Sequence, residues 1–436
     1  MNVLKRSMSG MELELQLIDS NGEIANCAGE LIKRVKKKSA KTDIVFEHTE
    51  NMFELKSLPK VKLKDSLPHL IESVETVSEQ ASKMGLKLFG LGSYPGSFST
   101  KIIRKRRYAL QTEVFGGKNI FYWGHCAGFH YHYTLPRGVF DPQKKFLKQL
   151  FNSKTKKTML DSYNMLIAID PATATMMQSS PFIERQYLAK DSRMLLIRDP
   201  HDFQYNHGLF YDLSEFGELP NYAFTVQDLR QRLIRMNSKF KGLIAKTGYP
   251  QEAKRKKMLD FVWSAVKVNK LGTLEQRGSD MNHPKYFAGA AVLMKALQRA
   301  IQQKFYHVEV SDAAIKEPFK MEGNTIFIPP ITYIKSRLQP SSAYNGFSDR
   351  ELYNYTKKFF GFAKKFTGKE YRRLLSPLQN LIERRKTVSD VLIQRVKRAG
   401  YCLTEEIPQE VCREIAIKHV EQFERELFRT KNIIPR

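Results

Sequence analysis

Four short stretches of this chain each set side chains of one character two residues apart, and that period admits few folds other than a β-sheet. In residues 11–18, Met11, Leu13, Leu15 and Leu17 alternate with Glu12, Glu14 and Gln16. Residues 129–135 repeat the pattern, with Phe129, Tyr131 and Tyr133 against His130, His132 and Thr134. In residues 273–279, Thr273, Glu275, Arg277 and Ser279 share a side. Glu54 sits in NMFELKSLP with Phe53 and Leu55 on the opposite face, and Glu50 lies four residues upstream. An antiparallel sheet, apolar where it packs on helices and polar on the other face, accommodates all four. Its polar face then gathers carboxylates and imidazoles in place of the usual Lys, Thr and Ser.

Such a gathering is costly, because like charges raise one another's pKa unless cations sit among them. Hard divalent ions such as Mg²⁺ take carboxylate oxygens and leave positions open for substrate phosphates. Arg277 beside them suits a transferring phosphoryl group and its developing charge. Singly, each pair has an ordinary alternative. Glu12 and Glu14 make a solvated face, His130 and His132 a structural pair, Glu275 and Arg277 a surface ion pair worth about 0–1 kcal/mol. Together on separate strands they point to phosphoryl transfer from a nucleotide.

The rest of the chain completes an α+β pattern. A helix is expected over 64–85, with Ser66 as cap, Pro68 in the first turn and Gly85 as the stop. Beyond residue 140 helices are expected over 142–152, 157–168, 225–247, 251–266 and 283–303. Pro329, Pro330 and residues 339–346 (QPSSAYNG) read as a linker. Helices over 349–366, 369–385, 389–399 and 408–429 follow it. This divides the chain into a catalytic domain, 1–340, and a basic helical C-terminal region, 341–436.

Charge bounds the partners. The chain has 72 Lys and Arg against 45 Asp and Glu, a formal charge of +27. Basic runs at 33–38, 101–107, 144–157 and 254–257 suit nucleic acid or another polyanion, steering of anionic small molecules, or a solvated exterior. No zinc finger, RNP motif or helix-turn-helix accompanies them. The longest apolar stretch, 287–294, is far short of the roughly 20 residues a membrane span needs. The opening MNVLKRSMSG lacks the apolar core of a secretory leader. Four cysteines form neither a disulfide framework nor a CxxC site, so a cytoplasmic protein without a membrane partner is expected. Cys126, beside His125, reads as a buried strand-end residue and not as a nucleophile.

Five segments also resemble a known family. GMELELQLID is similar to the Gly-x-Glu-x-Glu strand of the glutamate–cysteine ligase type 2 and carboxylate–amine ligase family. TENMFELKSLP resembles its second motif, an acid followed four positions later by Glu in a strand ending in Thr/Ser-x-Pro. GHCAGFHYHYTLP is similar to its Gly-x-His-x-His/Asn strand, QSSPF to its Ser-Ser-Pro-Phe segment, and GTLEQRGSDMN to its Ile/Leu-Glu-x-Arg-x-x-Asp strand. The five come in the family's order between about residues 10 and 282. HYHYTLP and GLGSYPG depart from the forms common in its branches, which leaves substrate identity open.

The resemblance implies a glutamine-synthetase-like fold, a curved and mostly antiparallel sheet with packed helices, whose concave face holds ATP, Mg²⁺ and an amino acid. It implies a reaction in which ATP phosphorylates a carboxylate, typically the γ-carboxylate of glutamate, and an amine such as cysteine displaces the phosphate to form an amide. Carried over by position, Glu12, Glu14, Glu54, His130 and Glu275 match the metal-binding residues, and Arg277 matches the arginine on the transferring phosphate. Arg277, His132 and Glu12 are then nucleotide-side candidates, with Glu54, Glu275 and Arg277 at the chemical step. Glu50, Ser180 and Arg185 are candidates for the substrate side. Two other outcomes stand beside this one: a phosphotransferase of the same fold, and a basic polyanion-binding protein on a ligase-like scaffold. Retention of every carboxylate, imidazole and guanidinium position argues against the last.

Overall fold

The structure is a computed structural model and describes residues 7–149, 153–260 and 263–435. Its centre is a seven-stranded sheet, and every strand pair in it is antiparallel. The N-terminal part supplies β1 (Ser9–Ile18), α1 (Ala28–Lys38), β2 (Asp43–Phe46), β3 (Met52–Lys56), α2 (Leu63–Ser82), β4 (Lys87–Phe89), α3 (Arg106–Phe115), α4 (Gly117–His125) and β5 (Gly128–Thr134). The middle supplies α5 (Lys154–Met177), α6 (Ser192–Ile197), α7 (Val226–Ala245), β6 (Val266–Asn269), β7 (Thr273–Asp280) and α8 (Pro284–Lys304). The C-terminal part adds α9 (Gln339–Tyr344), α10 (Arg350–Lys364), α11 (Arg372–Arg384), α12 (Val388–Arg398) and α13 (Gln409–Ile433). A smaller three-stranded sheet is made by His307–Val310, Met321–Glu322 and Thr325–Ile328.

The strands lie in the order β6-β7-β5-β1-β3-β2, with β4 on the last part of β1 opposite β3. β1 is central because both of its faces bury side chains. Met11, Leu13, Leu15 and Leu17 enter the main core. That core is closed by α2, α5, α8 and α13, which pack against the strands or against one another. α2 shows why. Leu67, Leu70, Ile71, Val74, Val77 and Ala81 recur at helical spacing and are all buried. α8 packs on α5, α11 and α13, so the core runs continuously from β1 to the last helix.

Several elements differ from the sequence expectation. Residues 142–149 are not helical. A hairpin of Phe140–Asp141 and Phe146–Leu147 occupies most of them, its turn held by Asp141 Oδ1, which accepts from the Gln143 and Lys144 amides. Residues 150–152 of the expected helix lie outside the described ones. Among the described residues of 251–266 helix is confined to the first turns, Pro250–Arg255, and residue 266 opens β6. Residues 261–262 lie outside the description. α2 starts at Leu63, so Ser66 is inside it, donating Oγ–H to the Leu63 carbonyl, and Pro68 is interior as well. Gly85, at φ +70, follows its end as expected of a stop. The supposed linker at 339–346 contains a helix, α9, whose Gln339, Ser341, Ser342 and Ala343 are buried. The basic run at 33–38 is the solvent face of α1, whose Leu31, Ile32 and Val35 face inward.

Candidate active site

Strand register assembles the polar face row by row. Glu12 of β1 stands opposite His130 of β5 on one side and Lys56 of β3 on the other. Glu14 stands opposite Glu54, and His132 opposite Glu275 of β7. Side chains directly opposite each other across antiparallel strands lie about 4.5–5.5 Å apart at Cβ. Register alone therefore brings four acids and two imidazoles from four strands within reach of one another.

The polar face floors a cavity of about 640 Å³ whose other walls include Phe115, Trp123, Phe210, Phe240 and Trp263. These rings belong to a second hydrophobic cluster built largely on α3, α4 and α7. Glu12, Glu14, Glu54, Glu275 and Arg277 line the cavity, together with Glu47, Lys56, Lys267 and Asn269. Lys36, Lys105, Arg107 and Lys270 add four further cations to its lining.

Three sets of side chains bring one donor atom each within 4.8 Å of the others: Glu12, His132 and Glu275; Glu12, Glu54 and His130; Glu14, Glu47 and Glu54. The hydrogen bonding around them is incomplete. His130 Nε2 is 3.4 Å from Glu14 Oε1, and His132 Nε2 is 3.4 Å from Glu12 Oε2. Neither buried nitrogen has a hydrogen-bond partner. Donor sets of two carboxylates and one imidazole, or of three carboxylates, fit a hard divalent cation with room left for substrate oxygens.

The electrostatics follow from crowding. Burial pushes Glu54 well up, and Glu12 and Glu47 push it further against Lys56. Burial and Glu14 raise the Glu47 carboxyl to about 7, with Arg107 and Arg277 opposing. At Glu12 burial is outweighed by the charges of His132 and Lys56 and by the hydrogen bond to His130 Nδ1, so its carboxyl is held well down. Glu275 is held down too, since Lys267, Arg277 and His132 overcome its burial. Burial lowers His130, whereas Glu275 and Glu12 outweigh burial at His132 and raise it. Two lysines share the work of neutralisation. Lys56 Nζ is 2.8 Å from Glu54 and 3.3 Å from Glu12, and Lys267 Nζ is 3.3 Å from Glu275. Arg277 Nη1 is 3.6 Å from Glu275 Oε1, its guanidinium lies 5.9 Å from the Trp263 ring centroid, and its buried Nε has no partner.

The remaining sequence candidates lie elsewhere. Glu50 is not among the residues lining the cavity; its amide donates to Lys101 and its carbonyl accepts from Ala28 in the turn between β2 and β3. Ser180 is buried behind α6, where its Oγ accepts from the Arg193 amide and is 3.5 Å from Asp191 Oδ1. Arg185 binds the Ile407 carbonyl through Nε and Glu406 through Nη1. Glu47, Lys56, Lys267 and Asn269 were missed, although spacing carried a signal for three of them. Lys56 is two residues past Glu54, and Lys267 and Asn269 are two apart on β6. Glu47 lies just past the end of β2, where alternation gives no warning.

Residues 8–141 match the family model of glutamate-cysteine ligase family 2. The resemblance read from the motifs is thereby met in the first third of the chain, the segment that holds Glu12, Glu14, Glu47, Glu54, His130 and His132. A bifunctional glutathione synthetase from Pasteurella multocida is similar in structure, with a TM-score of 0.61 at 13% identity. The match covers 96% of this chain and 53% of that one, so the chain spans about half its length. A glutamate–cysteine ligase from Francisella tularensis, solved in complex with AMP, also gives a TM-score of 0.61 at 13% identity, covering 98% of this chain and 92% of that one. No curated protein matches the sequence. At such identities the likeness is one of fold. The fold is the α+β, mainly antiparallel one that the family-2 resemblance implies, and it is shared with these two structures.

Proposed function

We propose that this protein is an ATP- and Mg²⁺-dependent carboxylate–amine ligase. In the reaction, ATP phosphorylates an amino-acid carboxylate and an amine then displaces phosphate to leave an amide, with the γ-carboxylate of glutamate and the amine of cysteine as the default pair. A carboxylate is a poor electrophile because its oxygen is a poor leaving group, and phosphorylation supplies a good one. The single observation that carries the reading is the convergence of three donor sets whose five carboxylates all line one cavity beside Arg277. The family-2 match over 8–141 and the fold shared with the two ligases support it.

Glu12, Glu14, Glu47, Glu54, Glu275, His130 and His132 would hold the metal. When bound, Mg²⁺ supplies charge neutralisation to the triphosphate and to the oxygen in transit. The chain's own residues do the rest. Arg277, with a free Nε and Nη1 turned to Glu275, is placed to hold an oxygen of the migrating phosphoryl group. Lys56 offsets part of the charge of Glu12 and Glu54, and Lys267 part of that of Glu275. The aromatic wall of Trp123, Trp263 and Phe210 excludes water from a reaction that competing hydrolysis would waste. The test is a screen of amino-acid pairs with ATP and Mg²⁺, following phosphate release and product mass. Release that depends on both members of a pair, with a product of condensed mass, is expected; release indifferent to amino acids would overturn the reading.

A further inference from the structure

Arg277 stands on a bulge, and the bulge is held from behind. β7 pairs Gln276 with Tyr131 and Ser279 with Phe129, so Arg277 and Gly278 together stand against His130 alone and one residue is extra. The Arg277 amide leaves the β5 ladder and donates to the Ala265 carbonyl at 2.8 Å. The two carbonyls of the bulge point toward α6, where two buried guanidiniums receive them. Arg193 Nη2 donates to the Arg277 carbonyl at 3.2 Å, and Arg198 Nη2 donates to the Gly278 carbonyl at 3.1 Å.

Arg198 is itself over-determined. It is 1% exposed, pairs with both oxygens of Asp170 on α5 at 2.5 and 3.2 Å, and donates to Gln339 Oε1 of α9 at 2.6 Å. A Cβ at Gly278 would stand 2.4 Å from both Arg198 Nη2 and Asp170 Oδ1, so the fork would have to move to admit one. A buried ion pair is weak support for stability, because desolvation offsets much of its attraction. Fixing one backbone geometry is a different benefit, and a 1 Å displacement of a catalytic group can cost about 10²-fold in rate.

We infer that Arg198, anchored by Asp170 and Gln339 and seconded by Arg193, is a positioning residue that locks the β7 bulge and so aims Arg277 into the cavity. The inference rests on the ligase reading for what Arg277 does, but the clamp is legible without it. Arg198→Lys keeps the charge beside Asp170 and loses the fork; Gly278→Ala pushes the fork away. Both variants are expected to keep the wild-type circular dichroism and an ATP KM within about twofold, while kcat falls about 10–100-fold. In an Arg277→Ala background neither should lower kcat further by more than about twofold, since nothing is left to aim. Val396→Ala, a core truncation in α12, should lower the melting temperature and leave kcat alone in both backgrounds. Full activity in Arg198→Lys, or a loss that multiplies with that of Arg277→Ala, would overturn the clamp. An inactive wild-type protein would instead defeat the ligase reading. Crystal structures of wild type and Gly278→Ala then decide the clamp: a moved bulge supports it, and an unchanged register with Arg277 still beside Glu275 refutes it.

Discussion

At the scale of single residues the site is a charge problem solved by proximity. Glu54 is pushed up by burial, Glu12 and Glu47, whereas Glu275 is held down by Lys267, Arg277 and His132. Both are nonetheless ligand candidates in the three donor sets. Glu54→Gln and Glu275→Gln keep the shape and remove the charge, so each is expected to lower turnover by about 10²–10³-fold with the protein still folded. Full activity in either would remove that residue from the metal site. Glu47 extends the argument to an acid that lines the cavity beside Glu14. Glu47→Gln should raise the Mg²⁺ concentration for half-maximal activity by about tenfold. A magnesium titration of initial rates reads this directly, and an unchanged midpoint would show Glu47 to be only a wall residue.

At the scale of elements, the junction of α8 with α13 carries a pH dependence of its own. His283, at the start of α8, lies 4.2 Å from His419 of α13, ring centroid to ring centroid, beside Phe423 and Phe89. Burial, His419, Lys285 and Arg395 all lower His283, and burial and Arg395 lower His419 to about 3 against a hydrogen bond to the Gly90 backbone. Both imidazoles are therefore neutral when folded and take up protons on unfolding below an unfolded pKa of about 6.5. The unfolded chain then binds more protons, so stability is full above pH ~6.5 and falls as the pH drops toward 3. Urea unfolding at pH 7.5 and 5.0 should show the loss. In His419→Leu it should shrink by about 2 kcal/mol, at about 1.4 kcal/mol per pH unit for one group. An equal loss in the variant would place the acid sensitivity elsewhere.

At the scale of the whole molecule, a charge of +27 surrounds a cavity floored by acids. Lys36, Lys105, Arg107 and Lys270 line the same cavity, so anionic substrates meet positive potential before they meet carboxylates. Raising ionic strength should lower kcat/KM for ATP by about tenfold and leave kcat nearly unchanged, because steering acts on encounter. A salt-independent kcat/KM would assign the charge to the solvated exterior. Ligand linkage gives a second global test. Mg²⁺ with a non-hydrolysable ATP analogue should raise the melting temperature by about 5 °C, and EDTA should abolish the rise. Among the described residues no helix is long and apolar enough to cross a membrane.

The period-two alternation around Glu12, Glu14, His130, His132, Glu275 and Arg277 was sufficient to place them on strands and on one face, because side-chain direction along a strand is a local property of the backbone. Helices α7, α8 and those after residue 349 were legible for the same reason, their apolar period being local too; of α5 only 157–168 was expected, because Thr158–Met177 is buried on every side and shows no single apolar face. Tertiary structure decided what lies beyond one strand's reach. Register selected Glu47 over Glu50 for the cavity, since the turn between β2 and β3 turns Glu50 away. Ser180 and Arg185, close in sequence to the middle motif, are engaged with α6 and with the C-terminal loop. The guanidiniums behind Arg277 come from α6, about eighty residues earlier in the chain, and are anchored through α5 and α9. No local pattern announces such a contact, because only the packing of those helices on the bulge brings the groups together.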